Sequence, residues 1–116
     1  MPMINVTIED RPGIVVISIT GEFSLANIKK VEDVWQAQIG KSPGIIAINC
    51  RGLEYIDSSA IGTLVKFLNN AMNKKIKLVF YDLQPSISHI FKAARLNNFF
   101  TITTKERFEK EYIRGN

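Results

Sequence analysis

The stretch YIDSSAIGTLVKFLNN, Tyr55 to Asn70, sets two serines directly after an aspartate and directly before an amphipathic apolar pattern. With Asp57 as N-cap, its carboxylate accepts from the free amides of the first helical turn, and Ser58 and Ser59 become the first two helical residues, at the positive end of the dipole. A nucleophilic serine needs a base within hydrogen-bond reach. The only histidine, His89, stands far along the chain and has no second metal ligand at i+4. The one G-x-S-x-G match, GKSPG at residues 40–44, falls in a turn that follows a predicted helix and precedes a strand, the reverse of the strand-to-helix order of a nucleophile elbow. A G-x-x-x-x-G-K-[ST] phosphate loop, a G-x-G-x-x-G turn and Cys/His metal spacing are missing from the sequence. The expectation is therefore neither an enzyme nor a cofactor or metal protein. The serines read as acceptors of chemistry done by another protein, or as good capping sequence and nothing more.

Advancing 100° per residue, Ile61, Leu64, Val65, Leu68 and Met72 form one apolar stripe, while Ser59, Thr63, Lys66 and Asn70 fall opposite and Ser58 lies at the edge between them. Gly62, one turn beyond Ser58, leaves room for another backbone or a bulky ligand. Such a surface suits docking. A phosphate on either serine would be attracted by the helix dipole and repelled by Asp57. Its larger effect would fall on a partner, because a dianion in a packed interface brings desolvation and repulsion without unfolding the domain. On helical geometry alone, the outward Ser59 is favoured as acceptor.

The elements that must carry this helix are legible around it. MINVTIED alternates apolar and polar residues, DRPG has turn chemistry, and GIVVISITGEF follows, which predicts an antiparallel hairpin. Ser24 is positioned to cap a first helix with Leu25, Ile28, Val31, Trp35 and Ile39 on its apolar stripe and Gly40 at its end. GIIAINC and IKLVFYD read as buried strands, Pro85 opens a third helix carrying Ile87, Ile90, Phe91 and Ala94, and FFTIT reads as a short strand. Thr103 and Glu106 look like the capping box of a last helix bearing Phe108 and Tyr112. Phe99 and Phe100, adjacent in a strand, would point to opposite faces, leaving one exposed or beneath that last helix. The expected fold is an α/β domain over residues 1–116, with a mixed sheet that opens on an antiparallel hairpin and then alternates helices with strands, about four helices in all.

The 116 residues, 46% hydrophobic and 22% charged, suit one compact domain. No apolar run approaches the ~20 residues needed to cross a bilayer. The amino terminus lacks the basic flank and apolar run of a secretory signal, and the lone Cys50 has no disulfide partner, so a reducing cytoplasm is the expected setting. Residues 1–65 hold 5 Lys and Arg against 7 Asp and Glu, whereas residues 66–116 hold 10 against 4. That basic half reads as a solvated face rather than a nucleic-acid surface, because its cations are scattered and no arginine–aromatic cluster accompanies them. Cys50 and Trp35 are read as core residues and His89 as a helix-surface or packing residue, none with a functional role.

The residues GLEYIDSSAIGTLV, preceded by GIIAIN and ITGEFS and followed by KLVFYDLQPSISHIFKAARLNNFF, resemble the anti-sigma factor antagonists, single-domain members of the STAS family. The resemblance spans essentially the whole chain. It implies a partner switch: the unmodified antagonist binds an anti-sigma factor that is also a serine kinase, phosphorylation dissolves the complex, and a phosphatase restores it. By match to the motif the phosphoacceptor is Ser58; the expected partner-binding surface is the loop and outward face of this helix, with Asp57 as the cap, Ser59, Gly62, Thr63 and Lys66 as contacts, and Ser24 at a position that in this family lies near the acceptor. The chain departs from the common pattern in carrying Ala60 and Ile61 inside the DSS motif, Ser24 where an acidic residue is frequent, and Asn49 and Arg51 before the motif. Arg51 could meet a phosphate or pair with Glu54 or Asp57. The same family resemblance also accommodates a fixed subunit of a larger assembly, such as a transporter or a stress-sensing complex.

Overall fold

The structure, a computed structural model, describes residues 3–114. β1 (Ile4–Arg11) and β2 (Ile14–Phe23) pair antiparallel across Pro12 and Gly13, as the DRPG turn predicts. A 3-10 turn at Leu25–Asn27 leads into α1 (Ile28–Ile39), followed by β3 (Ile45–Asn49), β4 (Leu53–Ile56) and α2 (Ser58–Asn73). Then come β5 (Lys77–Tyr81), α3 (Pro85–Ala93), a 3-10 turn at Leu96–Asn98, β6 (Thr101–Thr103) and α4 (Lys105–Phe108), which widens into a π-helical turn over Glu109–Arg114. The sheet order is β1-β2-β3-β5-β6, with every pairing after the hairpin parallel and β4 set against the far end of β2. This is the expected α/β class, with a mixed sheet, an opening hairpin and, among the described residues, four helices.

Sequence periodicity misses β4, a four-residue strand too short to show alternation. It exists because β2 bends: the register shifts between Gly21 and Glu22, and β2 passes from pairing with β3 to pairing with β4. Gly21 has a φ of +101°, and a Cβ there would run into the Met3 carbonyl oxygen, so only glycine fits the bend. Its N–H donates to the Gly52 carbonyl at 2.8 Å, fastening the entry to β4. The consequence is functional geometry, since Phe23 pairs with Ile56 and the residues that follow each, Ser24 and Asp57, are brought side by side.

Three helices cover one face of the sheet. Their apolar sides meet Val15, Ile17, Ile19, Ile46, Ile48 and Phe80, and Trp35 of α1 stacks on Phe67 of α2 with centroids 4.3 Å apart and planes 8° from parallel. On the opposite face the carboxyl-terminal helix sets Phe108 against Ile14, Val16, Ala47, Val79 and Tyr81. Phe100 joins Phe80 and Phe91 in the core while Phe99 is 69% exposed, which resolves the adjacent pair into one inside and one outside. Thr104, not Thr103, caps the last helix: its side chain accepts from the Arg107 amide, because Thr103 is still paired with Tyr81 in the sheet. Leu25, expected on the stripe of α1, is 73% exposed, since the 3-10 turn breaks the phase before α1 begins. Cys50 is buried and desolvation, with the nearby charge of Asp82, pushes its thiol well above the ordinary range. His89 lies exposed on α3.

Candidate functional site

Asp57 holds the site together. Its backbone is extended, as an N-cap requires; one carboxylate oxygen accepts from the Ala60 amide at 2.9 Å and the other from the Leu25 amide at 2.9 Å. One side chain thus caps α2 and ties it to the turn that follows β2. The Leu25 amide first, then that of Ala60, hold the Asp57 carboxyl below the ordinary carboxylate range. A carboxyl with a lowered folded-state value stabilises the fold above its unfolded value, and that contribution fades as pH falls through the lowered one. Asp57→Ala is therefore expected to cost about 1–2 kcal/mol at neutral pH, the loss of a helix cap plus one further amide partner, with the gap to wild type closing in acid. Urea denaturation of both proteins at neutral and acidic pH measures it; a pH-independent gap would deny Asp57 the role of an ionised clamp.

Ser58 and Ser59 are the first two residues of α2, but their exposures reverse the helical-wheel reading: Ser58 is exposed and Ser59 half-buried. The buried residues of α2 are Ala60, Thr63, Leu64, Phe67 and Ala71, each one position before a member of the predicted stripe or coincident with it. That is a rotation of about 100°. Counting apolar residues favours Ile61, Leu64, Val65, Leu68 and Met72, yet Met72 is 65% exposed. Packing prefers the other face because buried Ala60 and Ala71 have small side chains that allow close approach to the sheet, and because Phe67 finds the indole of Trp35.

Three of the residues singled out in the sequence lie elsewhere than expected, Thr63 and Ser58 because α2 is rotated and Ser24 because it is buried at the turn after β2. Thr63, expected outward, is 5% exposed and its hydroxyl donates to the Ser59 carbonyl at 3.0 Å, which removes it from the surface. Ser24 is 8% exposed, and its hydroxyl has no partner among the described residues; Asn27 accepts from its amide instead. It is adjacent to the site but offers nothing to a partner. Ser58, by contrast, moves from the edge of the wheel to the open face. Gly62 lies exposed one turn beyond it with open space where a Cβ would stand, and Lys66 continues the face, its ammonium 3.1 Å from Glu32 of α1. Leu25 is the residue that sequence reasoning missed. Its amide completes the Asp57 clamp and its side chain stands in solvent, and the SLAN sequence, in which Asn27 accepts from the Ser24 amide, is the local signal for that turn.

Arg51 makes no ion pair with Glu54, Asp57 or any other described residue; its backbone amide donates to the Asn49 side chain and its carbonyl accepts from Gln84. The hydrogen bonds among the described residues include none from a side-chain base to Ser58, and no described group of His, Cys, Asp and Glu is arranged to hold a metal ion. No helix among the described residues is long and apolar enough to cross a membrane.

The STAS domain family model matches residues 5–109. Among solved structures, the chain is similar to an anti-sigma factor antagonist from Mycobacterium paratuberculosis, at 20% identity over 87% of this chain and 86% of that one, with a TM-score of 0.75. It is similar to the anti-sigma factor antagonist SpoIIAA in its unphosphorylated form, at 18% identity over 97% and 98% of the two chains, with a TM-score of 0.78. The phosphorylated form of the Bacillus protein SpoIIAA matches at 18% identity over 89% and 95%, with a TM-score of 0.69. At these identities the likeness is one of fold.

Proposed function

This chain belongs to the STAS domain family, and on that premise we propose that it is an anti-sigma factor antagonist, acting as one cytoplasmic domain, that binds an anti-sigma factor serine kinase and is released by phosphorylation of Ser58. The observation that carries this reading is the exposed Ser58 at the first position of α2, next to a carboxylate already committed to two backbone amides. Asp57 is thereby occupied as a clamp and is not a base for Ser58, so the hydroxyl suits a phosphate acceptor rather than a nucleophile. The partner surface consists of Leu25, Ser58, Gly62 and Lys66, with Ser59 and Asp57 beneath it. A phosphatase returns the modified protein to its binding form, and no nucleic acid takes part directly.

A phosphate at Ser58 would lie at the positive end of α2, so the domain tolerates it, while the approaching partner meets a dianion that it must desolvate on docking. Intact-mass analysis with fragment mapping of protein purified from its host under phosphatase inhibitors tests the acceptor. One phosphate on Ser58 is the expected result. Its absence across growth conditions would favour the fixed-subunit role in a larger assembly.

Gly62 supplies a second test. A mid-helix glycine costs about 1 kcal/mol relative to alanine, and nothing near Gly62 resists a Cβ. Gly62→Ala is thus expected to raise the melting temperature while weakening the kinase complex, because the added methyl enters the partner's space. Unchanged affinity in a calorimetric titration would remove Gly62 from the interface.

A further inference from the structure

β1 is an edge of the sheet, and its outer side meets no other strand among the described residues. Its hydrogen-bonding parity follows from the register. The Glu22 amide donates to the Met3 carbonyl at 2.8 Å, and the pairs Ile4 with Gly21 through Arg11 with Ile14 continue from there. Hydrogen-bonded and non-hydrogen-bonded pairs alternate in an antiparallel ladder, so Asn5, Thr7 and Glu9 face β2 with their backbone groups while Ile4, Val6 and Ile8 turn theirs outward. The Lys30 ammonium, 3.3 Å from the Ile4 carbonyl, is consistent with that parity.

Soluble proteins usually blunt such an edge with charge, proline or a bulge. From Ile4 to Ile8 this one has no charged residue, no proline and no register shift, and Ile8 is 36% exposed. We infer that this edge pairs antiparallel, about a two-fold axis, with the same edge of a second copy of the chain. The occupant is argued from self-complementarity. With Val6 opposite Val6, Ile4 falls opposite Ile8 on one face and Asn5 opposite Thr7 on the other, so apolar residues meet apolar residues and polar meet polar. The same alignment uses the outward N–H and C=O groups of Ile4, Val6 and Ile8. It sets Glu9 opposite Met3, itself 77% exposed, so that no like charges face one another. Lys30 gives up one exposed hydrogen bond in exchange. The seam uses none of the residues of the Ser58 surface and does not depend on the function proposed above.

Sedimentation equilibrium of the full chain tests this inference, with Ile8→Lys and Ile8→Pro as variants. Ile8 turns its amide outward, so proline there removes a donor from the edge without breaking a bond to β2. The wild type is expected to dimerise in a concentration-dependent way and either variant to associate roughly tenfold or more weakly, with circular dichroism unchanged. A wild type that stays monomeric up to its solubility limit overturns the inference, and so does a dimer that is equally strong in the folded Ile8→Lys protein. An extended peptide of foreign sequence that protects the Val6 and Ile8 amides from exchange on a monomeric wild type would assign the edge to another partner and overturn it as well.

Discussion

Ser58→Asp is expected to weaken the proposed complex with an anti-sigma factor kinase about a hundredfold, since an unpaired charge in a desolvated interface costs roughly 2–5 kcal/mol. The domain itself should hardly respond. Ser58 is exposed, and a carboxylate at the first position of α2 lies at the favourable end of the helix dipole, so the stability change stays within about 0.5 kcal/mol. Ser58→Ala should bind the kinase and stay bound when ATP is added. Ser59→Asp serves as the counterpart, because Ser59 is half-buried and its carbonyl accepts from Thr63. Isothermal titration of the three variants against the purified kinase separates the possibilities. Wild-type affinity in Ser58→Asp would sink the switch, and a larger loss in Ser59→Asp would move the acceptor by one residue.

Phe67→Ala is expected to destabilise the fold by about 3–5 kcal/mol, a large share of the roughly 5–15 kcal/mol that a domain of this kind has in total. Phe67 is 2% exposed and stacked on fully buried Trp35, so truncation opens a cavity between α1 and α2 that backbone relaxation cannot close. Leu68→Ala should cost clearly less, because Leu68 is only partly buried. The pair of substitutions reads the rotation of α2 directly. Urea midpoints in the opposite order would mean that α2 sits as the apolar count predicts, with Ser59 and Thr63 outward, and the surface assigned to Ser58, Gly62 and Lys66 would be wrong. Function and packing are linked here, since the same rotation that buries Phe67 presents Ser58.

Much of the fold was legible because it rests on local rules. Alternation in MINVTIED and turn chemistry in DRPG specify the hairpin, Asp57 caps α2 by its own side chain, and Pro85 opens α3. What local rules could not supply was anything that depends on two segments meeting. β4 is a strand only because Gly21 lets β2 bend toward it, and Leu25 belongs to the site only because its amide reaches a carboxylate 32 residues away. The choice between the two stripes of α2 is of the same kind, since a helical wheel counts apolar side chains but cannot see that Phe67 has an indole to stack on.

By itself, then, the sequence determined the fold class, the position of the DSS motif at a helix mouth and the identity of the capping carboxylate, all properties of neighbouring residues and their periodicity. Only the tertiary structure decided which serine faces solvent, that Thr63 and Ser24 are withdrawn from the surface, and that Leu25 joins it. The physical reason is that helix orientation and exposure follow from the packing of contacts distant in the chain, which no single segment encodes.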